Sequence, residues 1–323
     1  MKTTLKISRL TILLGIAIWG NQVYASQCNS SADPLIVSNS CDALNVSASK
    51  TSIVINPYIS VINFYAAERA VTINGGVSTP SFINNGAISS LDFPLSGMLV
   101  SSNTSIASFS NNGSISMNSG NIGPTYNSAL ELYGKIDALN NAGTIAATGV
   151  SSYGITMGGS ASIGTLTNQT GQSIAGAASG ILMGSGASIG TLTNKGFITA
   201  TNPNNATATS DGVVSNAITL LSGAALGSLE SSGAMTGGKY GISNQGEIAS
   251  LVNSGTITGG TAGISNQANA KIGNINNSGS ITGAQSSVFN SSGISNTGEI
   301  TSIVNSGNIA SPQGTSSNQD RKS

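Results

Sequence analysis

The chain has 323 residues, of which 7% are charged, none is histidine and 42 are glycine. Basic and acidic residues balance at 11 each with no basic cluster, which excludes nucleic-acid binding through phosphate neutralisation. Without histidine, histidine-dependent triads and histidine metal sites are excluded as well.

Residues 1–25 have the layout of a secretory signal. Lys2, Lys6 and Arg9 precede an apolar run from Leu10 to Trp19, and Val23-Tyr24-Ala25 supplies a small-residue cleavage site. The mature chain is expected to start at Ser26, with eight basic and eleven acidic residues and a net charge of −3. The apolar run is too short to span a bilayer, and no later stretch reaches eighteen consecutive apolar residues. Two cysteines follow, Cys28 and Cys41. An even count in an exported chain reads as one disulfide closing a short N-terminal loop, with two free thiols as the alternative. On the loop-entropy model such a bridge stabilises by roughly 3 kcal/mol, enough to hold a cap on the first turn of a stacked structure. Residues 26–77 are expected to form that N-terminal cap region, being poorer in glycine and denser in apolar runs such as Ile53-Val54-Ile55 and Val61-Ile62-Asn63-Phe64-Tyr65.

Residues 78–310 carry a repeat. Its word is apolar-x-Asn-x-Gly-x-apolar, as in Phe82-Ile83-Asn84-Asn85-Gly86-Ala87-Ile88. Copies place glycine at Gly113, Gly143, Gly196, Gly255, Gly279 and Gly307. Two looser copies lie at Leu166 to Ile174, with one residue inserted, and at Leu229 to Met235, where Ser231 replaces the asparagine. The successive glycines are 27, 30, 28, 25, 37, 22, 24 and 28 residues apart, within the range of one solenoid coil. Thr201 to Ser210, inside the longest spacing, reads as an inserted polar loop. A second register, Ile242-Ser243-Asn244-Gln245-Gly246-Glu247-Ile248 and its copy at Gly298, falls nine residues before a main copy, as if adjacent faces of a coil used the same chemistry. The short words around Gly241 and Gly263 read as a further turn-then-strand element.

Each word has period two, so its apolar residues point inward while Ser and Thr face water. Glycine supplies positive φ and asparagine tolerates left-handed backbone or bonds its own chain, so the pair is expected to corner a strand between faces. Stacked asparagines are expected to form an amide ladder. The fold class that follows is all-β, a right-handed parallel β-helix (solenoid) with an N-terminal cap, each coil stabilised by its neighbours at about 4.8 Å per coil. A sandwich does not require one seven-residue word again and again, and glycine with β-branched content opposes a helical fold. Residues 311–323, including Ser311-Pro312-Gln313-Gly314, read as a disordered tail.

The signal, the cysteine pair and runs such as YGISNQGEIASLVNSGTITGG and GISNTGEITSIVNSG resemble the passenger region of bacterial autotransporters over nearly the whole mature chain. The resemblance implies export by a cleaved signal, a β-helical passenger displayed outside by a C-terminal β-barrel, and a role in adhesion, aggregation or biofilm. No barrel-like run of alternating segments follows Ile309, so the expectation is a passenger that lacks its own translocator and needs one in the outer membrane, and that otherwise stays periplasmic. A β-helix secreted through a separate barrel partner is the alternative, although Asn56-Pro57-Tyr58 is an incomplete match to the words expected of it.

Catalysis is not expected. Gly184-Ser185-Gly186 reads as a coil corner rather than a nucleophile elbow. The acids Asp33, Asp42, Glu68, Asp92, Glu131, Asp137, Asp211, Glu230, Glu247 and Glu299 are scattered, and only Glu131 and Asp137 are close within the repeats. A polysaccharide-processing β-helix would need such carboxylates to converge. No Asp follows the Gly-Gly pairs as a calcium nonapeptide would require, so no metal or other cofactor is expected. Threonine pairs flanking Leu166 and Leu192 are similar to flat ice-binding faces, but only two copies match. The expected partners are host or bacterial cell-surface glycans or like molecules, bound by a weakly charged Ser/Thr/Asn face through many additive contacts.

Overall fold

The structure, a computed structural model, describes residues 28–63, 69–91, 96–118, 127–149, 151–200, 215–284 and 291–311. The expected signal peptide, the polar loop at Thr201 to Ser210 and the tail beyond Ser311 lie outside the described residues.

Alternating apolar and small polar residues give strands with one dry face, and three such strands close a turn. The described residues contain strands and no helix. Sheet I has eleven strands, from Leu35–Val37 to Glu299–Asn305; sheet II has ten, from Ser60–Asn63 to Asn308–Ala310; sheet III has ten, from Leu44–Val46 to Ser292–Asn296. The chain visits I, II and III in order and then returns to I, the first turn having only a bridge from Cys41 to Val61 in place of a sheet II strand, and every pairing is parallel, between strands one turn apart. The protein is therefore a parallel β-solenoid. At about 4.8 Å per turn, the strands of sheet I stack over roughly 48 Å. Residues 26–77, expected as a cap region, contribute five strands between Leu35 and Ile73 to these same sheets.

Inward side chains stack in columns of like residues. Ile88, Ile115, Ile145, Ile174 and Ile198 form one in sheet II, and Ile155, Ile181, Ile218, Ile242 and Ile264 one in sheet III. All ten are fully buried. In sheet I, Phe82 and Phe109 meet edge to face with centroids 4.7 Å apart, and Leu139, Leu166, Leu192, Leu229 and Leu251 continue their column.

The repeat word is the corner from sheet I to sheet II. Its asparagine is the last inward residue of the sheet I strand and is buried at every turn from Asn84 to Asn277 that carries it. The side-chain amides form a ladder. Asn84 Nδ2 donates to Asn111 Oδ1 at 2.8 Å, and the chain continues through Asn141 and Asn168 to Asn194. Each amide also donates to the backbone carbonyl just past the next corner, as Asn111 does to Thr144 O at 3.1 Å. Asn84, the first rung, accepts from the N–H of its own corner Gly86 at 3.2 Å. The second register builds a shorter ladder at the corner from sheet III to sheet I, through Asn244, Asn266 and Asn296, with Gly246 N–H again serving the first rung. Ser231 interrupts the main ladder. Asn194 reaches its hydroxyl at 3.4 Å, and the buried Asn253 Oδ1 beyond it has no partner.

The corner glycines correct an expectation. Gly86, Gly113, Gly143, Gly196, Gly255, Gly279 and Gly307 sit at the corner as expected, but none has positive φ. They close two-residue corners, where a Cβ would collide with backbone of the preceding turn: Gly113 against Gly86 O, Gly143 against Gly113 O, and Gly307 against Gly279 O. Each four-residue corner has one residue of positive φ, Tyr58, Gly76, Asn103, Gly159, Gly171, Gly186, Gly223 or Asn269, and Ala43 and Gly149 have it in other connections. The inserted residue near Gly171 is absorbed in this way, and Asn168 still stacks on Asn194.

Four substitutions test the ladder and the corners, each read by chemical denaturation. Ser231→Asn is expected to supply a donor to Asn253 Oδ1 and raise stability by about 1 kcal/mol, whereas Asn168→Ala strands a buried acceptor and costs about 2–3 kcal/mol. Gly113→Ala is expected to cost about 3 kcal/mol through overpacking against fixed backbone. Gly76→Ala, with open space but positive φ, should cost only about 1–2 kcal/mol.

Candidate functional site

Cys28 and Cys41 form a disulfide, with Cα atoms 5.3 Å apart, and Cys28 packs partly buried against the core. The Cys28 N–H donates to Asp42 O at 3.2 Å, so the bridge ties the segment before Leu35 to the first turn.

The two carboxylates closest within the repeats do not face each other. Glu131 lies in the sheet III strand Asn127–Leu132 and Asp137 in the sheet I strand Lys135–Asn141, so a corner separates them. Asp137 pairs with Lys135 at 2.7 Å in an exposed position. Glu131, whose side chain is 14% exposed, accepts from Arg69 Nη2 at 2.9 Å and from Ser96 Oγ on Oε2, and from the Tyr133 hydroxyl at 3.0 Å on Oε1. The Tyr133 ring rests on Gly158, where any side chain would displace it. Desolvation raises the Tyr133 pKa above its ordinary value, and the Glu131 charge and hydrogen bond add to the rise against an opposing effect of Arg69. The cluster fastens three successive turns of sheet III together. Glu230, Glu247 and Glu299 are on sheet I; Glu68, Asp92 and Asp211 lie outside the described residues. Among the described residues no three of His, Cys, Asp and Glu come together.

The extended surfaces are the outer faces of the sheets, and they differ in charge. Sheet I carries Lys135, Asp137, Glu230, Glu247, Lys271 and Glu299. Lys271 stands in register between Glu247 and Glu299, so opposite charges adjoin. The threonine pairs flanking Leu166 and Leu192 are also here: Thr165 stacks on Thr191 and Thr167 on Thr193. Ala138 and Asn140 stand on one side of them and Ser228 and Glu230 on the other, so that array ends after two turns.

Sheet II has no Asp, Glu, Lys or Arg in any of its ten strands. Its outward residues are Ser, Thr, Ala and Asn, except for Ile62 and Leu91 in the first two strands and Phe197, which is 47% exposed. Thr199, Thr236, Thr258 and Thr282 form one uninterrupted column over four turns. The sequence signal for this face is the short word Ile/Met-Thr-Gly/Ala one residue after a corner glycine, as in Ile257-Thr258-Gly259 after Gly255 and Thr256, which the asparagine word does not include.

Comparison of the chain with family models, with curated proteins and with solved structures gave no match in any of the three.

Glu131→Gln removes the charge that disfavours tyrosinate at Tyr133. Its phenol is then expected to ionise at lower pH than in the wild type, checked by the ultraviolet titration difference between each protein and its Tyr133→Phe counterpart. The raised pKa gives a stabilisation present below pH 10.0, the ordinary value, and lost as pH climbs through the folded pKa.

Proposed function

We propose that the chain is the non-catalytic β-solenoid passenger of an exported adhesin, displayed at the cell surface or secreted through an outer-membrane translocator. The observation that carries this reading is the outer surface: long, flat, regularly repeating faces of small polar side chains on a rod stiffened by buried amide ladders. A face that repeats its groups turn after turn binds by many weak contacts, and avidity grows with the length engaged. The Cys28–Cys41 bridge accords with an oxidising compartment, as the signal-like residues 1–25 do. The resemblance to autotransporter passengers points the same way. We also take the solenoid to be right-handed, because crossovers between parallel strands of a sheet are right-handed in about 98% of cases. A polysaccharide-processing enzyme has less support, since the best-placed carboxylate, Glu131, is held by Arg69, Ser96 and Tyr133.

Expressed as the full reading frame in a Gram-negative host, the protein is expected to leave the cytoplasm, to start at Ser26, and to have Cys28 and Cys41 unreactive toward thiol reagents until reduced. Beads coated with it should adhere to cells. A cytoplasmic product with the leader intact, or coated beads no stickier than bare ones, would sink the proposal.

A further inference from the structure

The outer face of sheet II is a strip two side chains wide, bounded by corners and running along the solenoid axis. One column is Thr199, Thr236, Thr258 and Thr282, with the hydroxyls of Thr258 and Thr282 3.3 Å apart. The other holds Phe197, Ala234, Thr256 and Ser280 in the same four turns. Along the axis the groups repeat about every 4.8 Å, and across the strip the columns are about 7 Å apart. Phe197 stands between Ser173 and Ala234, whose small side chains leave its ring uncovered on an otherwise hydroxyl-lined surface.

We propose that this strip binds a neutral, unbranched polysaccharide lying along the solenoid axis, with the Phe197 ring stacked on one sugar and the threonine hydroxyls bonding to the sugars that follow. This rests on the adhesive reading above and names its ligand class. A hydroxyl both donates and accepts, as each sugar hydroxyl does, so a column of threonines meets a polyol without leaving a polar group unpaired. The strands of the strip carry neither cation nor carboxylate, and the nearest lysines, Lys195 and Lys239, stand in the corners that bound it, Lys239 over the Tyr240 ring. Its axial repeat is close to the length of one sugar residue, so an extended chain advances about one sugar per turn, and its narrowness disfavours branches. Binding is then additive over turns, weak for a single sugar and strong for the polymer. The threonine pairs on sheet I lack this combination, having Glu230 beside them and only two turns of threonine.

The test uses the purified full chain in affinity gel electrophoresis with a soluble unbranched β-glucan, a branched glucan and polygalacturonate, alongside the bead-adhesion assay. The unbranched neutral polymer is expected to retard the protein most, polygalacturonate not at all, and free glucose to compete poorly. Phe197→Ser and Thr258→Lys should each weaken retention about tenfold, the scale of one stacking or desolvated polar contact, with circular dichroism unchanged. Thr165→Lys on sheet I should leave retention as it was. No retention by any neutral polymer, equal retention by polygalacturonate, or retention unmoved by both sheet II variants would overturn the inference. Beads that still adhere to cells in those cases would leave the adhesive reading standing, whereas polymer retention without cell adhesion would leave the strip and remove the adhesin.

Discussion

In this fold each residue lies about 4.8 Å from its counterpart in the next turn, because parallel strands pair in register from one end of the stack to the other. Any group repeated from turn to turn therefore meets a copy of itself. That constraint selects groups that are compatible with their own kind. Isoleucine packs on isoleucine, a carboxamide donates to a carboxamide, and a hydroxyl faces a hydroxyl, whereas a charge repels its copy. The 7% charged composition follows from it, and so does the alternation of Glu247, Lys271 and Glu299 on sheet I. Glycine at the two-residue corners obeys the same rule, since two stacked corners leave no room for a Cβ between them.

Inside the stack the constraint becomes a question of satisfaction. A buried amide stabilises only when donor and acceptor both find partners, and the ladders meet this condition at their interior rungs. Their ends need a substitute. Asn84 and Asn244, each preceded in the stack by an apolar residue, take the N–H of their own corner glycines, so each ladder starts without an orphaned oxygen. At Ser231 no such substitute forms, and the consequence is local: Asn253 Oδ1 is left alone while register continues through Leu229 and Leu251.

Much of this was legible in the sequence. The asparagine word marked one corner of almost every turn, its second register marked another, and the period of two gave the inward columns. What misled was the glycine beside each asparagine. A sequence does not distinguish a glycine needed for positive φ from one needed for closeness, and Gly171 and Gly196 occupy the same corner for these two different reasons. The threonine column of sheet II stayed hidden because Thr199 and Thr236 are far apart in the chain, with residues 201–214 between their strands, yet adjacent in register. The 26–77 segment read as distinct because its corners use Tyr58 and Gly76 instead of the asparagine word, although its strands belong to the common sheets.

The unequal spacing of the turns comes mostly from one of the three connections. From the strand Ile53–Ile55 onward, corners from sheet I to II and from III to I are two or four residues long, whereas the connection from II to III ranges from two residues, as at Ala177-Ala178, to the fifteen between Ala200 and Asn216. Both ladders lie on the conserved-length corners. Duplications and deletions in the gene that break at the third corner add or drop a whole turn, or lengthen one loop, without shifting an amide out of line. A lineage can thus remodel the rod's length and decorate one seam of it by ordinary copying errors, while the stack's internal grammar is inherited intact.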